Sequence, residues 1–196
     1  MSSPKHIVLD LGGVVINFNG FRILSELTNL DLSPDTIEAW WRQSPIIHIF
    51  DAGKIDSLEF ADLMIAEFDL DFGPLEFIRE FKSWVVGFYP GAVDLISLLR
   101  QRYTVSCLSN SNESHWSENI YFPFDNAYSS HLIGLAKPDK TIFEYLLNEL
   151  AEEPQNIIFF DDSLANVSAA IELGITAHHT VGLDSLRDKL TDLALF

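Results

Sequence analysis

"HIVLDLGGVVIN", residues 6–17, sets a single acid, Asp10, at the end of an apolar run and follows it, one residue on, with Gly12 and Gly13. The run is brief and apolar at successive positions, which is the pattern of a strand covered on both faces in a parallel sheet. Three further runs share it: "YTVSCLS" (103–109), "NIIFFD" (156–161) and "GITAHHTV" (174–181). Each ends in or is followed by Gly, Ser, Asn or Asp, the residues that close strands. Helical patterns at 91–102, 139–151, 163–174 and 185–195 alternate with them through the second half. Alternating strands and helices predict an α/β fold, a doubly wound, mostly parallel sheet with right-handed crossovers.

Residues 17–88 break that rhythm. "FRILSELTNL", "SPDTIEAWWRQ", "DSLEFADLMIAEF" and "PLEFIREFKSWVVGF" read as consecutive helices, the second and third capped by Ser33 and Asp56. The expected organisation is an α/β core of residues 1–16 and 89–196 with a helical bundle, 17–88, inserted after the first strand. Its many aromatic rings are expected to be bundle core.

Composition narrows the partners. Twelve Lys and Arg against 29 Asp and Glu leave a formal charge of −17, so nucleic acid and anionic membrane surfaces are repelled. Cys107 is the sole cysteine and has no intrachain disulfide partner, in keeping with a reducing compartment. The N-terminal apolar run is too short for a signal peptide, and no stretch approaches the length of a membrane span. A cytoplasmic protein, monomer or homodimer, is expected.

In an open α/β sheet, ligands bind beyond the carboxyl ends of the strands, where strand order reverses. Asp10 belongs at such a tip, although a lone Asp there also serves as a turn former. Ser109 and Asn110, in "LSNSN", end the second strand in the same way, offering a hydroxyl and backbone N–H groups to an anion, or simply a helix cap. In "GLAKPDKTIF", Lys137 precedes Pro138, which suits the first position of a helix. A lysine at that positive end is disfavoured unless an anion lies nearby. "FFDDSLAN" brings Asp161 and Asp162 out of an apolar run side by side, ahead of a potential cap at Ser163. Adjacent buried acids repel unless a cation compensates, and a hard dication such as magnesium takes oxygen ligands of this kind. A carboxylate, a hydroxyl with amides, an ammonium and an acid pair together suit covalent phosphoryl transfer.

These stretches resemble, in order, the four motifs of the haloacid dehalogenase-like hydrolase superfamily: "HIVLDLGGVVIN", "CLSNSN", "GLAKPDKTIF" and "IIFFDDSLANVSAA". The resemblance covers almost the whole chain. It points to the subgroup with a small helical cap and a Rossmann-like core, and the chain is similar to its sugar-phosphate phosphatases. The resemblance implies that Asp10 attacks phosphorus to form an aspartyl phosphate, which water then hydrolyses. It implies magnesium held by Asp10, the carbonyl of Gly12 and Asp162, with Asp161 in or behind the ligand set and Asn166 holding a metal-bound water. Ser109 and the Asn110 amide would grip the phosphate, and Lys137 would balance charge between it and Asp10. Gly12 and Gly13 would let backbone approach phosphate and ion.

One position departs from the pattern. Phosphatases of this superfamily usually carry an Asp two residues after the nucleophile, which protonates the leaving group and then activates water; here it is Gly12. A good leaving group such as the anomeric oxygen of a sugar 1-phosphate is one explanation. A substitute acid, with His115 the candidate, is a second. Loss of turnover with retention of phosphate binding is the third. In the insertion, "FDAGKIDSLEF" (50–60) is similar to a substrate-specificity loop, with Lys54 offering positive charge, or it is a plain glycine turn. The expected function is a magnesium-dependent phosphatase for a small phosphorylated metabolite. A 2-haloacid dehalogenase using Asp10 needs no metal, so the acid pair argues against it. A phosphomutase fits Gly12 worse, and a non-catalytic phosphometabolite-binding module is the alternative from another class.

Overall fold

The computed structural model of the protein describes residues 5–117 and 122–196. Five parallel strands form its main sheet: β1 (His6–Leu9), β4 (Thr104–Ser109), β5 (Asn126–Ser129), β6 (Ile157–Asp161) and β7 (Thr176–His179). Their order is β5-β4-β1-β6-β7. β1 is central, with Leu9 level with Cys107 on one side and Phe160 on the other. The chain winds outward from β1 first through β4 and β5 and then through β6 and β7, so the order reverses at β1. That places the ligand crevice beyond its carboxyl end.

Side chains alternate across this sheet and fill two layers. Ile7, Leu9 and Phe160 pack with Leu95 and Ile96 of α6 (Ala92–Leu99) and with Leu186 and Leu190 of α10 (Gly182–Asp192). Val8 and Phe159 face the opposite way, onto Ile142 and Phe143 of α8 (Lys140–Leu150) and Val167 of α9 (Leu164–Glu172). A short helix, α7 (Ser130–Ile133), follows β5. No helix among the described residues is long and apolar enough to cross a membrane.

Leu11, Val14, Val15 and Ile16 join the layer of Ile7 and Leu9, whereas residues between Phe18 and Trp84 build a separate apolar cluster. Its helices are α1 (Gly20–Leu27), α2 (Pro34–Trp41), α3 (Pro45–Asp51), α4 (Ser57–Phe68) and α5 (Pro74–Lys82). Ser33 accepts from Thr36 N, and Asp56 from Leu58 N and Glu59 N, so both expected caps form. Leu24, Ile37, Met64, Phe77 and Trp84 join the cluster, and Phe50 stacks on Phe60 with ring centroids 3.9 Å apart. Phe60→Ala is expected to cost about 3–5 kcal/mol through the cavity it leaves, read as a lower denaturant midpoint at unchanged slope.

Four features differ from the sequence expectation. The stretch 74–88 is not one helix: α5 stops at Lys82, and Val85–Phe88 forms β3, paired antiparallel with β2 (Ile16–Phe18). β-branched Val85 and Val86 and left-handed Gly87, at φ 122°, suit that ribbon and not a helix. α3 was not anticipated, nor was β5, a four-residue edge strand. Pro138 does not open its helix; Asp139 caps α8, accepting from Thr141 N at 3.2 Å, and Pro138 precedes that cap.

Candidate active site

Asp10 stands one residue beyond β1, its N–H donating to the Phe160 carbonyl at 2.9 Å. The loop before α8 brings Lys137 to it from 127 residues away in sequence. Asn110, directly after β4, holds that loop: its Nδ2 donates to the Lys137 carbonyl and its Oδ1 accepts from Lys137 N, each at 2.8 Å. The side chain of Asn110 is thereby committed, while the buried Ser109 hydroxyl makes only a long 3.3 Å bond to the Asn110 carbonyl.

Lys137, 2% exposed, donates to Asp10 Oδ1 at 2.8 Å, Asp161 Oδ2 at 2.7 Å and the Leu108 carbonyl at 2.8 Å. All three of its protons have acceptors. Burial alone would lower its pKa, but the two carboxylates outweigh burial and raise it. Asp161 is saturated as well. Its Oδ1 accepts from Ser163 N at 2.8 Å, and Asn166 Nδ2 reaches both of its oxygens at 3.0 and 3.1 Å. Ser163 thus sits at the α9 cap position without a side-chain cap bond of its own.

Asp162 points elsewhere. Its Oδ2 accepts from Arg42 Nη2 at 2.9 Å, and the same nitrogen holds Glu38 at 2.8 Å. Burial raises the Asp162 pKa while Arg42 opposes the rise. Oxygens of Asp10, Asp161 and Asp162 lie within 4.8 Å of one another. The Asp10 carboxyl is pushed up to about 7, by burial first and then by Asp161 and Asp162, against the pull of Lys137. Three converging carboxylates with an excess of negative charge and oxygen as their donor atom fit a hard cation such as magnesium.

The two glycines divide. Gly13 has φ 73°, and a Cβ there would lie 2.6 Å from Asp162 Oδ2, so a side chain is excluded. A Cβ on Gly12 would meet nothing within 4 Å; its lack of a side chain is not imposed by crowding.

The structure does not bring His115 to this cluster as a free acid. Its Nε2 donates to the Phe81 carbonyl at 2.8 Å and its ring centroid lies 4.1 Å from that of Phe81. Burial drops its pKa to about 4, leaving a neutral side chain that ties the loop after β4 to α5. Lys54 lines a cavity of about 290 Å³ together with Phe50, Asp56, Glu113 and His131, where the loop after α3 meets the core. Asp10 is not among its lining residues. Arg42, in "WWRQ", carries no motif and escaped the sequence reading. Asp51 was visible only as part of the 50–60 loop, yet it is buried against Asn112 of the loop after β4.

A model of the haloacid dehalogenase-like hydrolases matches residues 4–174. A D-ribitol-5-phosphate phosphatase of Bacteroides thetaiotaomicron is 27% identical, over 95% of this chain and 97% of that protein. A sesquiterpene phosphatase of Aspergillus oryzae is 26% identical, over 89% of each. Among solved structures, a HAD family enzyme of Bacteroides thetaiotaomicron in complex with magnesium and inorganic phosphate superposes with a TM-score of 0.72 at 26% identity, covering 91% of this chain and 94% of that one.

Proposed function

The chain belongs to the haloacid dehalogenase-like hydrolases, and on that premise we propose that it is a magnesium-dependent phosphatase of small phosphorylated metabolites, acting through an aspartyl phosphate on Asp10. The observation that carries this reading is the buried Lys137 held between Asp10 and Asp161 at the point where strand order reverses. A carboxylate so placed is oriented, and the ammonium beside it offsets the charge of an incoming phosphate. The D-ribitol-5-phosphate and sesquiterpene phosphatases support a phosphoric monoester as substrate, and the first of them favours a sugar or polyol phosphate.

In this mechanism one Asp10 oxygen attacks phosphorus while the other is held by Lys137. The Ser109 hydroxyl, lightly engaged, and the Asn110 backbone N–H donate to the phosphoryl oxygens. Magnesium, when bound, neutralises the phosphate and makes phosphorus more electrophilic, and Asp10, Asp162 and the Gly12 carbonyl would hold it. Asp161, held in turn by Asn166, stands behind that set and fixes Lys137. Residues 17–88 act as a cap that excludes bulk water, and Lys54, in the cavity where the loop after α3 meets the core, supplies positive charge on that side.

The test is phosphate release from sugar 1-phosphates, D-ribitol 5-phosphate, nucleotides and p-nitrophenyl phosphate, with magnesium and with excess chelator, beside halide release from 2-haloacids. Phosphate release that chelator abolishes and magnesium restores is the expected result. Halide release with no phosphate release would replace this reading with the dehalogenase, and full activity in chelator would remove the metal.

A further inference from the structure

We infer that Asp51, the last residue of α3, is the catalytic acid and base of this phosphatase, taking the part that Gly12 leaves vacant. The inference rests on the phosphatase reading above and names the residue that serves the leaving group.

The position after the nucleophile where an acid is usual has no side chain, and His115 is committed to the Phe81 carbonyl. Asp51 has neither limitation. It is 8% exposed, and among the described residues its sole hydrogen bond comes from Asn112 Nδ2, at a long 3.5 Å. No lysine or arginine among them pairs with it. Burying a carboxylate without a cation is costly, so such a group takes up a proton instead. Burial pushes Asp51 up to about 7, with Asn112 and Lys137 opposing. In its neutral form it is an O–H donor, and a buried acid with so weak a partner calls for an explanation.

Its location supplies one. Asn112 lies on the same loop as Ser109 and Asn110, the loop assigned to the phosphate. Lys137, which touches Asp10, is also the charged group whose field reaches Asp51. α3, which itself carries His48, packs against α4, which carries Glu59, Asp62 and Glu67, and against α7, which carries His131; Lys54 lies just beyond its end, and Glu113 and His115 follow Asn112 on its loop. None of them contributes to the shift. Phosphoryl transfer runs in line, so a nucleophile on the core floor sends the leaving oxygen toward the opposite wall. That wall is the cap, and Asp51 is a cap carboxyl that touches the phosphate loop.

The step balances. As the Asp10 oxygen bonds to phosphorus, the bond from phosphorus to the ester oxygen breaks, and that oxygen takes the Asp51 proton and leaves as the alcohol. Water then enters the vacated side. The Asp51 carboxylate removes its proton as it attacks phosphorus, the bond from phosphorus to the Asp10 oxygen breaks, inorganic phosphate departs, and both aspartates return to their starting states.

The experiment compares kcat/KM for phenyl phosphate and p-nitrophenyl phosphate, since a poor leaving group needs the proton and a good one departs with little help. Asp51→Asn is expected to lose roughly 10²- to 10⁴-fold on phenyl phosphate and only severalfold on p-nitrophenyl phosphate. The fall of wild-type kcat/KM above about pH 7 is expected to vanish in the variant. Adding Gly12→Asp, which has open space around it, is expected to restore part of the loss on phenyl phosphate. Equal losses on both substrates would overturn the assignment, as they would signal a structural role. A steep dependence of the wild-type rate on leaving-group basicity would overturn it too, even if the Asn variant fails to fold. Absence of release from either substrate by the wild type would instead overturn the phosphatase reading, and the acid with it.

Discussion

Asp10→Asn is expected to cut phosphate release by on the order of 10⁴-fold or more, because it removes the oxygen that, in the proposed mechanism, forms the covalent intermediate. The amide keeps an oxygen for Lys137, whose bond to Asp10 Oδ1 is 2.8 Å, so the site is expected to hold its shape. Stability is expected to move the other way. The Asp10 carboxyl is raised from 3.8 to about 7 by burial and by its acidic neighbours. A carboxyl raised in the folded state contributes stability that is present below its unfolded value and lost as pH rises through the folded one. An amide escapes that loss. The metal-free Asn variant should therefore match the wild type in thermal midpoint near pH 4 and surpass it by pH 8. A variant that keeps wild-type activity would remove Asp10 as the nucleophile, and one that unfolds at neutral pH would mean that the carboxylate is a net support of the fold.

The same burial explains what could be read from the chain and what could not. β1, β4 and β6 were legible because apolar side chains on both faces leave continuous runs, and Asp10, Ser109 and Asp161 were legible as the polar residues that end them. β5 was not, since "NAYS" is a short, polar edge strand. β3 was absorbed into a helical pattern because "WVVGF" fits either period over so few residues, and its pairing with Ile16–Phe18, some 70 residues away in sequence, has no local signature. The site divides along the same line. Residues at strand tips and in motifs were nameable in advance, with their roles supplied by resemblance. Asn110 was expected to offer its amide to phosphate, and its side chain turns out to clamp Lys137. Arg42 and Asp51 reach the core only because the inserted helices fold over it, and no spacing in the sequence records that approach.

Lys137→Ala is expected to destabilise the metal-free protein by about 3–5 kcal/mol, the usual cost of removing one partner from a buried ion pair and stranding the other. Here two carboxylates are stranded, since the ammonium bonds Asp10 at 2.8 Å and Asp161 at 2.7 Å. At about 2–4 °C per kcal/mol for a chain of this size, the thermal midpoint should fall by roughly 10 °C. The loss should depend on pH. Lys137 holds the Asp10 pKa down against burial, so the variant's carboxyl is raised further and takes up a proton more readily. Its deficit therefore shrinks as pH falls toward about 4 and widens above about 7. Adding Asp10→Asn to Lys137→Ala should recover part of the deficit, because one stranded charge is gone; a double-mutant cycle measures that coupling. Magnesium should recover another part, since a dication held by Asp10 and Asp162, next to Asp161, would replace the missing positive charge. A deficit independent of pH and unchanged by Asp10→Asn would show that the lysine acts through packing of its stem, and the electrostatic account of the site would fail with it.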